Sequence, residues 1–392
     1  MSPQDRLRLF YFLYYGSVGA YLPYFAAYLR GLGFSGAEIG TVQMLPPLLA
    51  APVALLWATA ADRLGSPARA LRLVTVWTLL AIALLPFART PLAVGAVLVL
   101  QGLADRAVVP LVDSVSMELV RHDPRLSYAR IRLFGSLGYI ALSLGLGLLL
   151  GLRGERPADA AVPLAVLACV AGYALAARRL PSPPPPGERP ALAEALGLLR
   201  DRRLLAFLAA AMIHWGATAP FHVLLGVHVR DLSLPAWVAG AATSVGVGAE
   251  IAALLAFPRL EARLSQRALL AVSFGGTALR WLLCWQVRSP PALLLVQLLH
   301  GLTFGVFWGA SIRTLGQRVP PRLRATGQAL FSAVVFGAGN AAGYQLSGRG
   351  YDVYGSVAPL FGWAAAVELA ALALVLVALA PARPAHTSAW KP

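Results

Sequence analysis

An all-α membrane protein, with twelve transmembrane helices in two pseudo-symmetric six-helix bundles, is predicted for this 392-residue chain by three observations. Hydrophobic residues make up 58% of it and charged ones only 13%, which leaves no water-soluble domain of comparable size. Twelve apolar stretches meet the roughly 20 residues that a helix needs to cross the hydrocarbon core. A proline-rich run at 180–190 divides them six and six. A membrane barrel would show alternating segments of about ten residues, whereas 138–152 is apolar on every side.

The first span, 9–30, is too long for a removable signal peptide and lacks its small-residue cleavage site. It is expected to remain as a helix. Of Tyr11, Tyr14, Tyr21 and Tyr28, the last three recur at seven-residue spacing on one face. Tyr14 and Tyr21 are candidate substrate contacts, although interfacial belts and core packing also use tyrosine. Span 2 covers 37–59 and leads into Asp62-Arg63, and span 3 covers 72–89.

Span 4, 92–118, holds Asp105, Arg106 and Asp113. A charge at the centre of a membrane helix costs about 2.5–3.5 kcal/mol on insertion scales, so such residues face a cavity or a partner. Arg106 and Asp113 lie two turns apart on nearly the same face, with Pro110 between them. They read as a substrate-binding cation with its counter-ion or proton carrier, or as a static pair. Asp105 points to another face and is expected to make a separate interhelical contact. Span 5, 132–153, opens on Arg132, whose planar fork of donors suits a hydroxyl pair or a carboxylate. An arginine at the membrane edge can also snorkel. Span 6 is 158–179. Cys169 there and Cys284 in span 9 both fall within the membrane, so no disulfide framework is expected.

The segment 181–202 is expected to be a cytoplasmic linker, extended by its prolines, between bundles at 1–180 and 203–380. Residues 381–392 form a cytoplasmic tail. Span 7 is 203–225, and its Trp215 and Phe221 suit an apolar wall. Span 8, 235–257, brings Gly246 and Gly248, which permit close helix approach, just before Glu250. That carboxylate is read as proton-coupling, or as salt-bridged to Arg280 in span 9, 267–288. Span 10, 291–315, presents Gln297, His300, Thr303 and Phe307 as a stripe. Imidazole titrates near neutral pH, so His300 suits coupling, or a plain bond to a neighbouring backbone. Phe304 and Trp308 extend the apolar wall. Asn340 in span 11, 325–349, is a polar candidate for substrate, and span 12, 356–380, contains Glu368.

The net charge of +16 is sorted between alternate loops. One set, including both termini and the linker, carries 24 of the 33 basic residues, the other set carries 7, and Arg106 and Arg280 lie inside spans. By the positive-inside rule the richer set faces the cytoplasm, with both termini there. No basic patch is interleaved with aromatics as a nucleic-acid groove requires.

The halves echo one another. Gln101-Gly102-Leu103 recurs as His300-Gly301-Leu302, Arg63-Leu64 as Arg263-Leu264, and Leu133-Phe134 as Leu330-Phe331, all at nearly one offset. Duplicated six-helix units with a site between them at mid-membrane are a transporter architecture. With its basic central linker, the chain resembles the major facilitator superfamily. Residues 58–65, Ala-Thr-Ala-Ala-Asp-Arg-Leu-Gly, resemble the signature after that superfamily's second helix. Ala58 replaces its first glycine, and Ser66-Pro67 displaces the basic residues that usually follow. Residues 127–135 are similar to the span 4–5 loop of the lactose permease and phenylpropionate permease branch of proton symporters. Glu250, Arg280 and His300 also fall where lactose permease carries Glu, Arg and His. Two departures make lactose a poor substrate: Val109 stands at that relative's sugar-binding Glu, and Thr303 at its proton-coupling Glu.

The resemblance implies secondary active transport of a small organic solute by alternating access, with proton symport and a bacterial inner-membrane location. It places Arg132 in the substrate site, Arg280 beside the proton-coupling groups, and Asp62 and Arg63 in a conformational latch. An aromatic or other organic acid, a nucleoside or a sugar would suit the cavity. Efflux antiport, or a non-transporting sensor or lipid-moving protein on the same fold, remains open. No H-E-x-x-H cluster, nucleophile elbow or phosphate-cradling loop points to an enzyme. No cofactor or metal is expected, and a monomer is.

Overall fold

The computed structural model describes residues 2–123, 126–180 and 197–378. The proline-rich part of the expected linker, 181–196, and the expected tail lie outside the described residues. Among the described residues the chain forms twelve helical rods. In the first half, α1 joins Pro3–Tyr21 to Phe25–Gly31, α2 is Gly36–Arg63, and α3 is Pro67–Phe87. Then α4 joins Pro91–Asp105 to Val108–His122, α5 is Tyr128–Leu152, and α6 is Ala161–Ala177. In the second half, α7 joins Arg202–Ala217 to Ala219–Asp231, α8 is Trp237–Arg263, and α9 is Gln266–Gln286. Finally α10 is Pro290–Arg318, α11 runs from Arg324–Phe331 through Ser332–Gly339 to Asn340–Tyr354, and α12 is Ala358–Ala378. Among the described residues, eight helices are long and apolar enough to cross a membrane.

Local chemistry explains the ends. Ser2, Ser66, Thr90 and Ser265 each accept a backbone N–H from three residues on, which satisfies a donor left over at a helix start. Proline follows the first three caps, where its missing N–H costs nothing. Gly355, at φ 66°, ends α11 in the left-handed conformation that glycine adopts without strain. Helices α2 and α8 run on to Arg63 and Arg263, beyond the apolar limits at 59 and 257, because a helix end in water tolerates charge.

Helix α1 packs on α5 and α6, while α4 packs on α2 and α3. In the second half α7 packs on α11 and α12, and α10 packs on α8 and α9. The two sets meet through α2 with α11, α5 with α8, and Phe25–Gly31 with Ala219–Asp231. Small residues make this possible. Gly36 lies against Gly348, Gly40 against the Tyr344 backbone, and Gly240 against Ser143.

Polar contacts lock the same end. The Gly36 and Ala37 N–H groups donate to Asp352 at 2.6 and 2.7 Å, and the Ala236 N–H donates to Glu155 at 2.8 Å. A carboxylate from one half thus caps the start of α2, and one from the other half caps the start of α8, where the helix dipole favours negative charge. Arg230 donates to the Ala27 carbonyl at 2.7 Å. Among the described residues, these bonds between halves lie toward the face away from the arginine-rich ends. Toward the basic face, Arg324–Phe331 packs on α10 of its own half, and among the described residues no packing of like extent joins it to α2. The halves therefore join at one face and part toward the other.

A side chain at Gly348 would press on the Gly36 carbonyl. Gly348→Leu should lengthen the distance between spin labels at positions 35 and 354. An unchanged distance would show that the glycine contact does not hold this face shut.

Candidate functional site

Parting of the halves leaves a cavity with two lobes, which share Val18 and Leu22 of α1 as a divide. The first lobe, about 220 Å³, is lined by Tyr14, Tyr21, Gln43, Gln101, Asp105, Arg106 and Asn340, among others. The second, about 340 Å³, is lined by Tyr15, Arg132, Trp215, His222, Glu250, His300 and Phe304, among others.

The first lobe depends on a break in α4. Pro110 has no N–H to give the Arg106 carbonyl, and its ring crowds that carbonyl. The helix accordingly ends at Asp105 and restarts at Val108. Because of that break, the consecutive residues Asp105 and Arg106 both reach the cavity. The expectation that Asp105 points to another face assumed a continuous helix and is corrected, while its carboxylate does meet another helix, at Tyr14 of α1. Arg106 does not share its surroundings with Asp113 either. The Tyr11 hydroxyl donates to Asp113 Oδ1 at 2.5 Å and lies 3.1 Å from Ser116 Oγ.

Several polar atoms at the cavity wall lack partners among the described residues. Gln43 and Asn340 line the first lobe and Trp215 the second, and Gln43 Nε2, Asn340 Oδ1 and Trp215 Nε1 are each buried. The other end of the Asn340 amide donates to the Phe336 carbonyl at 2.9 Å, so its free oxygen is held in place. Buried polar atoms without partners are costly.

The second lobe rests on Arg280, which is fully buried and finds no carboxylate within ion-pairing distance among the described residues. Its Nη2 donates to Gln297 Oε1 at 2.6 Å, and its Nη1 approaches Thr303 Oγ1 at 3.3 Å. Its guanidinium also lies 4.4 Å from the ring centroids of Phe221 and Trp281, a cation–π setting. The expected alternative of an Arg280–Glu250 bridge does not form, because Arg280 turns toward α10.

One further bond sets the chemistry of the lobe. Arg280 Nη1 lies 3.0 Å from His300 Nδ1. Arginine can only donate, so Nδ1 must accept and the imidazole proton sits on Nε2. That nitrogen faces Glu250 Oε2 at 3.8 Å, a gap wide enough for a bridging hydroxyl or water. Across the lobe, Arg132 donates to the Tyr15 hydroxyl and lies 3.9 Å from that ring's centroid. Glycine-rich α10 is wound as a π-helix over Gly301–Val306, and α11 over Ser332–Gly339. Such segments accompany functional sites.

The structure thus gathers the proposed substrate contacts Arg106, Tyr14, Tyr21 and Asn340 in one lobe, and Arg132 and Phe304 with Glu250 and His300 in the other. Asp113 and Arg280 stand behind the walls. Arg63 is exposed at the end of α2, and the Asp62 side chain lies outside the described residues. Sequence reasoning missed Gln43, whose signal was a lone amide in an apolar span just before Pro46-Pro47, and His222.

A family model described as the MFS_1 like family matches residues 5–361. The maltose permease of Geobacillus stearothermophilus is 30% identical over 336 residues, covering 84% of this chain and 83% of that protein. A protein of Escherichia coli (strain K12) named "Probable 3-phenylpropionic acid transporter" is 28% identical over 346 residues, covering 84% and 86%. Among solved structures, a mutant form of the nucleoside transporter NupG superposes with a TM-score of 0.87 over 96% of this chain and 100% of that one, at 18% identity. That last likeness shows the fold alone.

The Arg280 network generates a stability test. An ammonium cannot replace the planar fork that holds Gln297, His300 and Thr303 together. Arg280→Lys should lower thermal stability in detergent by an amount equivalent to about 1–3 kcal/mol. A melting temperature equal to wild type would mean that the network does not brace the lobe.

Proposed function

The chain belongs to the MFS_1-like family, and from that premise we propose that it carries a neutral polyhydroxylated solute, a sugar or a nucleoside, inward together with a proton. It is a membrane transporter and not an enzyme, and its helices form the all-α major facilitator fold.

The observation that carries the substrate class is the first lobe. Arg106 stands beside Asp105, so charge is balanced there, and the remaining polar residues are amides, tyrosines and Ser17. Gln43 and Asn340 line the lobe, and each keeps one buried amide atom without a partner among the described residues, a donor and an acceptor; turned toward the lobe, these would suit hydroxyls, each of which both gives and takes a hydrogen bond. Aromatic rings on the same wall suit the flat face of a sugar or base. The maltose permease relative agrees with this class. A second reading, an aromatic monocarboxylate, is favoured by an arginine in each lobe and by the phenylpropionate relative.

Coupling follows from the gap between Glu250 and His300. Closing the lobe over a bare carboxylate would strand a charge at a cost of several kcal/mol. A proton on Glu250 removes that cost, and a solute hydroxyl bridging to the His300 N–H completes the hydrogen bonding. Closure is then favourable only with both passengers aboard. The basic face, where the halves part, is placed in the cytoplasm by the positive-inside rule, so this structure opens inward. Asp62 and Arg63 are assigned to the latch that closes this face in the opposite state. A proton crossing 100 mV supplies about 2.3 kcal/mol for the cycle.

In liposomes under an inward proton gradient, maltose or a nucleoside should acidify the lumen with wild type and not with Glu250→Gln. Arg106→Gln should raise KM about tenfold or more, as loss of a charged hydrogen bond implies. Acidification by 3-phenylpropionate alone would favour the second reading. Solute uptake without proton movement would overturn the coupling.

A further inference from the structure

We propose that His214 of α7 and Glu368 of α12 form a second proton-binding site, set behind the cavity and tied to it through Thr303. The proposal rests on the proton-coupled reading for its role, but the site itself follows from hydrogen-bond chemistry. Both side chains are fully buried, and His214 Nδ1 lies 2.5 Å from Glu368 Oε1. On the other side of the ring, His214 Nε2 lies 3.1 Å from the Thr303 carbonyl oxygen.

A carbonyl can only accept, so Nε2 must carry a hydrogen. A bare Nδ1 and a carboxylate oxygen are both acceptors, and cannot approach so closely without a proton between them. The pair therefore holds one bridging proton, as imidazolium with carboxylate or as imidazole with carboxylic acid, and either form is neutral overall. Without that proton the site would carry a net negative charge. Its walls are the rings of Phe274 and Phe307, centred 4.5 and 4.3 Å from the imidazole, and Glu368 Oε2 has no partner among the described residues. An uncompensated charge in such surroundings is strongly disfavoured. The pair is loaded in the conformation seen here, and unloads only when the packing around it changes.

The element that can change is the π-helical part of α10. In an α-helix the Phe307 N–H would bond the Thr303 carbonyl. Here it is directed to Phe304, and His214 bonds Thr303 instead. The Thr303 hydroxyl accepts from Arg280 and from Thr277, and Arg280 in turn fixes His300 opposite Glu250. On loss of the bridging proton the remaining ring proton moves from Nε2 to Nδ1 to face the carboxylate, which leaves Nε2 bare, releases the Thr303 carbonyl and shifts this chain of contacts toward the cavity. Other ionisable groups near the pair are His222, further along α7, and Arg280 of α9. Neither bonds to it.

The test uses the full chain, labelled with 15N-histidine, in detergent at neutral pH and without solute. Wild type and Glu250→Gln should show a strongly low-field proton resonance from the bridge, and Glu368→Gln should not. The His300 ring signals should also move in Glu368→Gln, as the Thr303 link requires. Should Glu368→Gln fail to fold, Glu368→Asp, which draws the carboxyl group back, should shift the resonance upfield and move His300 likewise. Absence of the resonance in wild type, its survival in Glu368→Gln, or unmoved His300 signals would each overturn the proposal. In liposomes Glu368→Gln should keep solute exchange while uphill accumulation falls about tenfold, and undiminished accumulation would overturn the coupling role. The spectroscopic arm involves no transport. An intact resonance in a protein that moves no solute would remove the transport reading and leave the site.

Discussion

The close approach of α2 to α11 and of α5 to α8 at one face is the constraint on which the rest of this structure depends. Only glycine and other small residues let these backbones meet, and the pairs Gly36 with Gly348 and Gly240 with Ser143 supply them. Asp352 and Glu155 then cap helix starts across the same seam, so shape and charge act together. Because the halves touch there and part toward the basic face, the cavity opens to one side only. A two-state transporter must hold its closures weakly enough to reverse. A seam made of backbone contacts and a few solvent-facing carboxylates fits that need better than a large apolar interface.

Inside the bundle, charge is managed without many ion pairs. Arg280 is held by an amide, an imidazole, a hydroxyl and two aromatic faces. Its bonds leave His300 only one tautomer, and so determine what the second lobe offers to Glu250. The first half treats Asp113 similarly, through Tyr11 rather than an arginine. The carboxylates that reach the cavity are Asp105, beside Arg106, and Glu250, opposite His300.

Much of the fold was legible in the sequence, because hydropathy and turn chemistry are local. The twelve spans, their six-and-six grouping and most helix ends lie within several residues of the expected limits. Individual cavity residues such as Arg106, Glu250, His300 and Asn340 were legible too, since a polar group deep in an apolar span has few reasons to be there. Pairings were not. His214 and Glu368 are 154 residues apart, and nothing local in either span marks the other. The Arg106–Asp113 face failed at Pro110, whose effect on the preceding turn overrides helical periodicity. The π-segments of α10 and α11 were not foreseen either, since glycine occurs throughout the spans and does not by itself mark π-winding.

The most direct test of the central account is side-specific labelling of a single cysteine at Val18, which borders both lobes. Native Cys169 and Cys284 are buried and can be replaced for this purpose. In oriented membrane vesicles, the account predicts that a membrane-impermeant thiol reagent reacts from the basic, cytoplasmic side, and that a transported sugar or nucleoside slows the reaction. Equal labelling from both sides, or no protection by any solute that the protein moves, would contradict a single cavity between the halves as the path of transport.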